Sequence, residues 1–176
     1  MKKTGIFYGP ENGAVYRVAE KIAKAVGEDR VDLISVSGAT AEDMARYDKL
    51  IFGISTVGKE TWHQDLPSTG WSRFLPEVGK LDYSKRTVAL FGLGDHISYP
   101  AHFVDAMGML AGEIRKASPD ARIVGQVDPS DYNFEESEAL IDGKFIGLPL
   151  DEDFEEELTD RRIAGWIEQI RNDFGF

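Results

Sequence analysis

A chain of 176 residues, 42% of them hydrophobic, is long enough to bury a full core, so one globular domain is expected. Its 31 acidic residues against 20 basic ones leave a formal net charge of −11, which disfavours nucleic acid and anionic membrane surfaces and favours a basic protein partner. The absence of cysteine excludes disulfides, thiolate metal sites, iron–sulfur clusters and thiol nucleophiles.

Met1-Lys2-Lys3 leads into an apolar run, Ile6-Phe7-Tyr8, without the apolar segment of a signal peptide, and a cytoplasmic location is expected. The run stops at Gly9-Pro10. After Gly13, the apolar residues Val15, Val18, Ala19 and Ile22 recur at helical spacing. Strand, tight loop and helix therefore follow one another, and such a junction aims the free amides and positive dipole end of the helix at the space above the strand. A phosphate suits that space, although α/β domains in general begin this way. The dinucleotide pattern G-x-G-x-x-G and the P-loop pattern are both absent.

Arg30-Val31-Asp32-Leu33-Ile34-Ser35-Val36 reads as a second strand, residues 41–46 as a short helix or turn, and Lys49-Leu50-Ile51-Phe52-Gly53-Ile54 as a third strand. Arg86-Thr87-Val88-Ala89-Leu90-Phe91-Gly92 reads as a fourth. The last two are apolar throughout, as strands buried on both faces are. The periodicity of Phe103, Val104, Met107, Leu110, Ala111 and Ile114 predicts a helix over residues 101–116, ended by Pro119. Arg122-Ile123-Val124-Gly125 begins a fifth strand, which Lys144-Phe145-Ile146-Gly147-Leu148 is expected to resume after a polar, aromatic excursion. A final helix is expected over residues 159–174, with a capping-box-like start at Thr159 and an apolar stripe of Ile163, Trp166, Ile167 and Ile170. Five strands with crossover helices make a doubly wound α/β sheet, whose ligands sit beyond the carboxyl ends of the strands.

Three loops meet at that edge. The first is residues 9–15. The second, from Ser55 to Trp71, carries Trp62 and Trp71, and the third, Gly92-Leu93-Gly94-Asp95-His96-Ile97-Ser98-Tyr99-Pro100, carries Tyr99. Aromatics above an anion-binding helix end suit a flat ring system bearing a phosphate, which is the shape of flavin mononucleotide, FMN.

The chain resembles the long-chain flavodoxins over essentially its whole length. The resemblance rests on Ala89-Leu90-Phe91-Gly92-Leu93-Gly94-Asp95, on Tyr99, on Phe103-Val104-Asp105-Ala106-Met107-Gly108, and on a tail from Gly143 through Asp151-Glu152-Asp153 to Leu158-Thr159-Asp160-Arg161-Arg162-Ile163 and Trp166. It implies a five-stranded parallel sheet of order 2-1-3-4-5 in three α/β/α layers, with the fifth strand split by an insertion, here residues 126–143. It also implies an FMN-binding one-electron carrier, monomeric, that docks by an acidic face on a basic reductase and acceptor. The acid is concentrated: residues 128–160 hold thirteen Asp and Glu and one base, Lys144.

Carried over by motif, Gly9, Pro10, Glu11, Asn12, Gly13, Ala14 and Val15 correspond to the phosphate loop. Tyr99 corresponds to the tyrosine on the outer ring face, and Gly92-Leu93-Gly94-Asp95 to the turn at the ring's pyrimidine edge. The inner face falls to Thr61 and Trp62, whose spacing to Trp71 agrees with the family, or in a second alignment to Thr56 and Val57. Two departures stand out. The family's phosphate loop is rich in hydroxyls, whereas Pro10, Asn12 and Val15 offer none, a loss on the order of 1.5–3 kcal/mol per charge-assisted bond. Asn12 and the amides of Gly13, Ala14 and Val15 are the remaining donors, with Glu11 expected to point away. Asp65-Leu66 replaces a Gly-Glu turn that meets the reduced flavin.

Other functions remain as alternatives: an FMN-dependent NAD(P)H or quinone oxidoreductase using His63 or His96, or a flavin-free interaction module. The spacings of His63, His96 and His102 fit no metal signature, and no G-x-S-x-G nucleophile elbow occurs. The acids at residues 151–153 and 155–157 are expected to form an exposed turn and helix start.

Overall fold

The computed structural model describes residues 2–56 and 70–176. The expected contributions of Val57, Thr61, Trp62, His63, Asp65 and Leu66 lie outside them. The described elements are strands β1 (Thr4–Gly9), β2 (Val31–Ser35), β3 (Lys49–Ile54), β4 (Thr87–Leu93), β5 (Arg122–Val124), β6 (Leu140–Ile141), β7 (Lys144–Phe145) and β8 (Leu148–Leu150). The helices are α1 (Ala14–Val26), α2 (Ala41–Ala45), α3 (Trp71–Val78), α4 (Asp105–Ala117) and α5 (Glu156–Phe174).

The main sheet is parallel, in the order β2-β1-β3-β4-β5, with β8 also pairing with β4. This is the order implied by the resemblance. Thr87 and Ala89 of β4 face Arg122 and Val124 of β5, and further along Phe91 and Leu93 face Leu148 and Leu150 of β8. Two short segments thus share one strand position, so the fifth strand is split as expected.

Side chains alternate between two cores, as the period of two along a strand requires. Phe7, Leu50, Phe52, Val88 and Leu90 face a core built with Trp71, Phe74 and Val78 of α3 and Met107, Leu110 and Ile114 of α4. Ile6, Ile51, Ala89 and Phe91 face the other, with Val15, Val18 and Ile22 of α1 and Ile163, Trp166 and Ile170 of α5. Gly53 has no side chain because Phe91 lies across it: a Cβ there would meet the ring at 2.0 Å.

Four local expectations are corrected. The resumption of the fifth strand is β8, whereas Lys144 and Phe145 pair antiparallel with Ile141 and Leu140. Asp142 and Gly143 join that hairpin, both with positive φ, as a type I′ turn demands. Second, the helix after Tyr99 begins at Asp105 rather than residue 101. Pro100–His102 is a single 3₁₀ turn, and Phe103 then turns into an aromatic cluster with Tyr132, Phe134 and Phe145 while Val104 takes φ 50°. Third, α5 begins at Glu156 without a side-chain cap. Thr159 is buried and its hydroxyl donates to Glu152. Fourth, Trp71 opens α3 and is wholly buried, its indole N–H donating to the Gly53 carbonyl at 3.1 Å.

Among the described residues, no helix is long and apolar enough to cross a membrane.

Candidate functional site

The register of the sheet places the carboxyl ends of three strands side by side. Gly9 of β1 faces Ile54 of β3, and Ile54 faces Gly92 of β4. Residues 10–13 after β1, Ser55 and Thr56 after β3, and Gly94 after β4 therefore leave from one edge, and β8 brings Asp151 to the same edge through the Leu93–Leu150 pair.

At the first loop, Gly13 caps α1 with φ 129° and ψ −153°, and nothing lies within 4 Å of where its Cβ would stand. The first bond within α1 runs from the Arg17 amide to the Gly13 carbonyl at 3.1 Å, so the amides of Ala14, Val15 and Tyr16 have no partner inside the helix. No acidic residue occupies the first turn. Glu11 is taken up elsewhere: its carboxylate accepts from the Ser35 hydroxyl at 2.7 Å. Asn12 is exposed, and Pro10 and Ala14 are not fully buried. Val15 is 2% exposed and belongs to the core beneath α1. Its side chain is a packing residue, and what position 15 can offer a ligand is its amide.

At the third loop, Gly92 and Gly94 are close-approach positions. A Cβ on Gly92 would meet Met107 at 2.9 Å, and one on Gly94 would meet Phe103 and the Val104 amide at 3.0 Å. Leu93 packs inward. Asp95 then shapes the turn, its Oδ1 accepting from the amides of Ile97 at 3.0 Å and Ser98 at 2.8 Å, while its carbonyl accepts from the Tyr99 amide at 3.0 Å. The outcome is a rigid platform with Tyr99, 60% exposed, at its edge. Thr56 follows β3 at the middle of the three ends.

The arrangement missed in the sequence is centred on Asp151. Instead of an exposed turn, Asp151 is fully buried, with Oδ1 accepting from the amides of Asp153 at 3.0 Å and Phe154 at 2.9 Å. Its Oδ2 accepts from the His96 amide at 3.0 Å and bonds the His96 Nδ1. Burial alone would push this carboxyl up, but the hydrogen bonds from the His96 amide and imidazole, and from Phe154 and Asp153, hold it below the usual carboxylate range. Asp153 moves the other way: burial, then the negative charges of Asp95 and Asp151, raises its carboxyl. The third-loop end of the edge is thus electronegative.

His96, Asp151 and Glu155 could offer ligand atoms to a metal, since these lie within 4.8 Å of one another. The positive charge is already supplied. Arg162, nearly buried, reaches Glu155 at 3.2 Å and lies 4.1 Å over the Tyr132 ring. His102 is exposed and bonds Asp105 at 2.9 Å. An open cleft of about 450 Å³ separates the third loop from the insertion, lined by His96, Ile97, Pro100 and residues 132–135.

The flavodoxin family profile matches residues 6–166. The chain is 38% identical over 174 residues to the flavodoxin of a Nostoc species, covering 99% of this chain and 98% of that one. It is 39% identical over 178 residues to flavodoxin 1 of Azotobacter vinelandii, with coverage of 99% and 98%. Among solved structures, the Fusobacterium nucleatum flavodoxin bound to flavin mononucleotide superposes with a TM-score of 0.83 at 26% identity, covering 99% of each chain. With a parallel sheet of matching order, a split fifth strand and relatives aligned end to end, the chain belongs to the flavodoxin family.

Proposed function

We propose that this chain binds FMN non-covalently and carries electrons one at a time between a reductase and an acceptor. The observation that carries the reading is the α1 terminus: a glycine cap with open space above it and three amides without helical partners, on the same edge as an exposed tyrosine. Flavodoxins are electron carriers rather than enzymes, which favours this reading over an NAD(P)H or quinone oxidoreductase.

When bound, FMN supplies the one-electron chemistry. The protein's part is to hold it. In this proposal the amides of residues 13–16 and the Asn12 side chain meet the phosphate, with the dipole of α1 favouring its charge. Pro10 gives the loop its shape without an amide donor. Gly92, Leu93, Gly94 and Asp95 lie along the edge of the ring and Tyr99 on its outer face, with Thr61 and Trp62, or Thr56 and Val57, on the inner one. The negative charge of Asp95, Asp151 and Asp153 disfavours adding electrons, which would set a low potential.

The chain acts as a single domain and a cytoplasmic monomer, and its partners are basic proteins steered by its net charge of −11. Titration of flavin-free protein with FMN and with riboflavin tests the reading. FMN binding at least tenfold tighter than riboflavin supports a working phosphate loop; no uptake of either flavin would instead make the chain a flavin-free module on this fold.

A further inference from the structure

We propose that His96 is a positioning residue for the flavin ring, acting through Asp151, in an inference that rests on the FMN reading above. Residues 94–99 form the platform that carries Tyr99, and Asp95 ties that platform to itself. Its ties to the rest of the protein come from β8 and the turn after it. The Gly94 amide donates to the Leu150 carbonyl at 3.0 Å, and His96 donates through its amide to Asp151 and pairs with it through the ring.

Asp151 divides its two oxygens between two elements. One holds the turn into α5 through the Asp153 and Phe154 amides; the other holds the platform through His96. Because the carboxylate is buried and each oxygen is occupied, the platform cannot shift relative to α5 without exposing or orphaning a charge. His96 is fixed from its other sides as well. The rings of Phe103 and Phe154 lie nearly perpendicular to the imidazole, centroids at 6.5 and 6.3 Å, and Glu155 lies 3.9 Å from Nδ1 with Arg162 behind it. Arg162 continues the network to the insertion, stacking on Tyr132 and donating to the Asp131 carbonyl, while the Tyr132 hydroxyl donates to the Pro149 carbonyl at 2.8 Å. The platform, the start of α5 and the insertion therefore move as one body.

The latch acts on the ring and not on the phosphate, and that separates it from a general effect on folding. His96→Ala and His96→Asn are compared with wild type in flavin-free form, by titration with FMN and riboflavin and by amide exchange of residues 96–98. Asparagine carries a side-chain N–H on Cγ, where the imidazole carries Nδ1, and keeps the donor to Asp151; alanine does not. His96→Ala is expected to weaken FMN and riboflavin by the same factor, about tenfold, and to speed exchange of the three amides about as much, with His96→Asn restoring both. Unchanged affinity and exchange in His96→Ala would overturn the proposal. A loss confined to FMN would do the same, since the effect would then lie at the phosphate, and so would His96→Asn behaving like alanine. A wild-type chain that takes up neither flavin sinks the carrier reading instead, and the exchange of residues 96–98 then decides the latch alone.

Discussion

Replacing Gly13 by alanine isolates the backbone's contribution to the proposed phosphate loop. Gly13 sits at φ 129° and ψ −153°, where an L side chain crowds its own peptide groups, yet nothing in the surrounding structure lies within 4 Å of the added Cβ. The cost is therefore strain and not a clash, about 1–3 kcal/mol if the loop keeps its shape. For a protein of this length that is about 2–12 °C in the melting temperature of the flavin-free form. If the loop escapes the strain by relaxing φ, the amides of Ala14, Val15 and Tyr16 no longer converge, and the preference for FMN over riboflavin falls instead. Thermal unfolding and paired flavin titrations read the two outcomes together. A Gly13→Ala protein with stability within 0.5 kcal/mol of wild type and an unchanged FMN preference would refute the claim that this glycine shapes the site.

Two further perturbations test the packing and the charge that support the edge. Trp166 is buried and donates its indole N–H to the Gly125 carbonyl at 3.0 Å, so Trp166→Phe leaves that carbonyl without its partner and a small void, and should cost about 2–4 kcal/mol in urea unfolding; a cost below 1 kcal/mol would show that the carbonyl is satisfied otherwise. Asp151 has a folded-state carboxyl held below its unfolded value of about 3.9, so its stabilisation is present above that pH and is lost as pH falls through the folded value. The stability gap between wild type and Asp151→Asn should therefore narrow from pH 5 to pH 3, and a constant gap would contradict the assignment.

The centre of the sheet was readable from the sequence because β1, β3 and β4 are buried on both faces. Leu50, Ile51 and Phe52, or Val88, Ala89 and Leu90, can lie in a two-sided core and hardly anywhere else. The junction from β1 to α1 was equally legible, since a glycine after an apolar run and before a helical period fixes both ends. What the sequence hid is tertiary. The hairpin of β6 and β7 had a local signal in Asp142-Gly143, but the apolar run beginning at Phe145 looked like the sheet strand itself. Asp151 sits in an acidic stretch and reads as surface; it is buried only because four donors from His96, Asp153 and Phe154 converge on it. No one-dimensional pattern records that convergence. Val15 joins the two readings: its side chain packs into the core from the first turn of α1, as the helical spacing predicts, and what it leaves at the loop is its amide.

Anaerobic reductive titration followed by visible absorption and electron paramagnetic resonance tests most directly whether this chain is an FMN-dependent one-electron carrier. A yellow protein that passes through a stable radical before full reduction, taking up its electrons in two resolved steps, is the predicted result. A single two-electron step, or a protein that stays colourless after incubation with FMN, would contradict it.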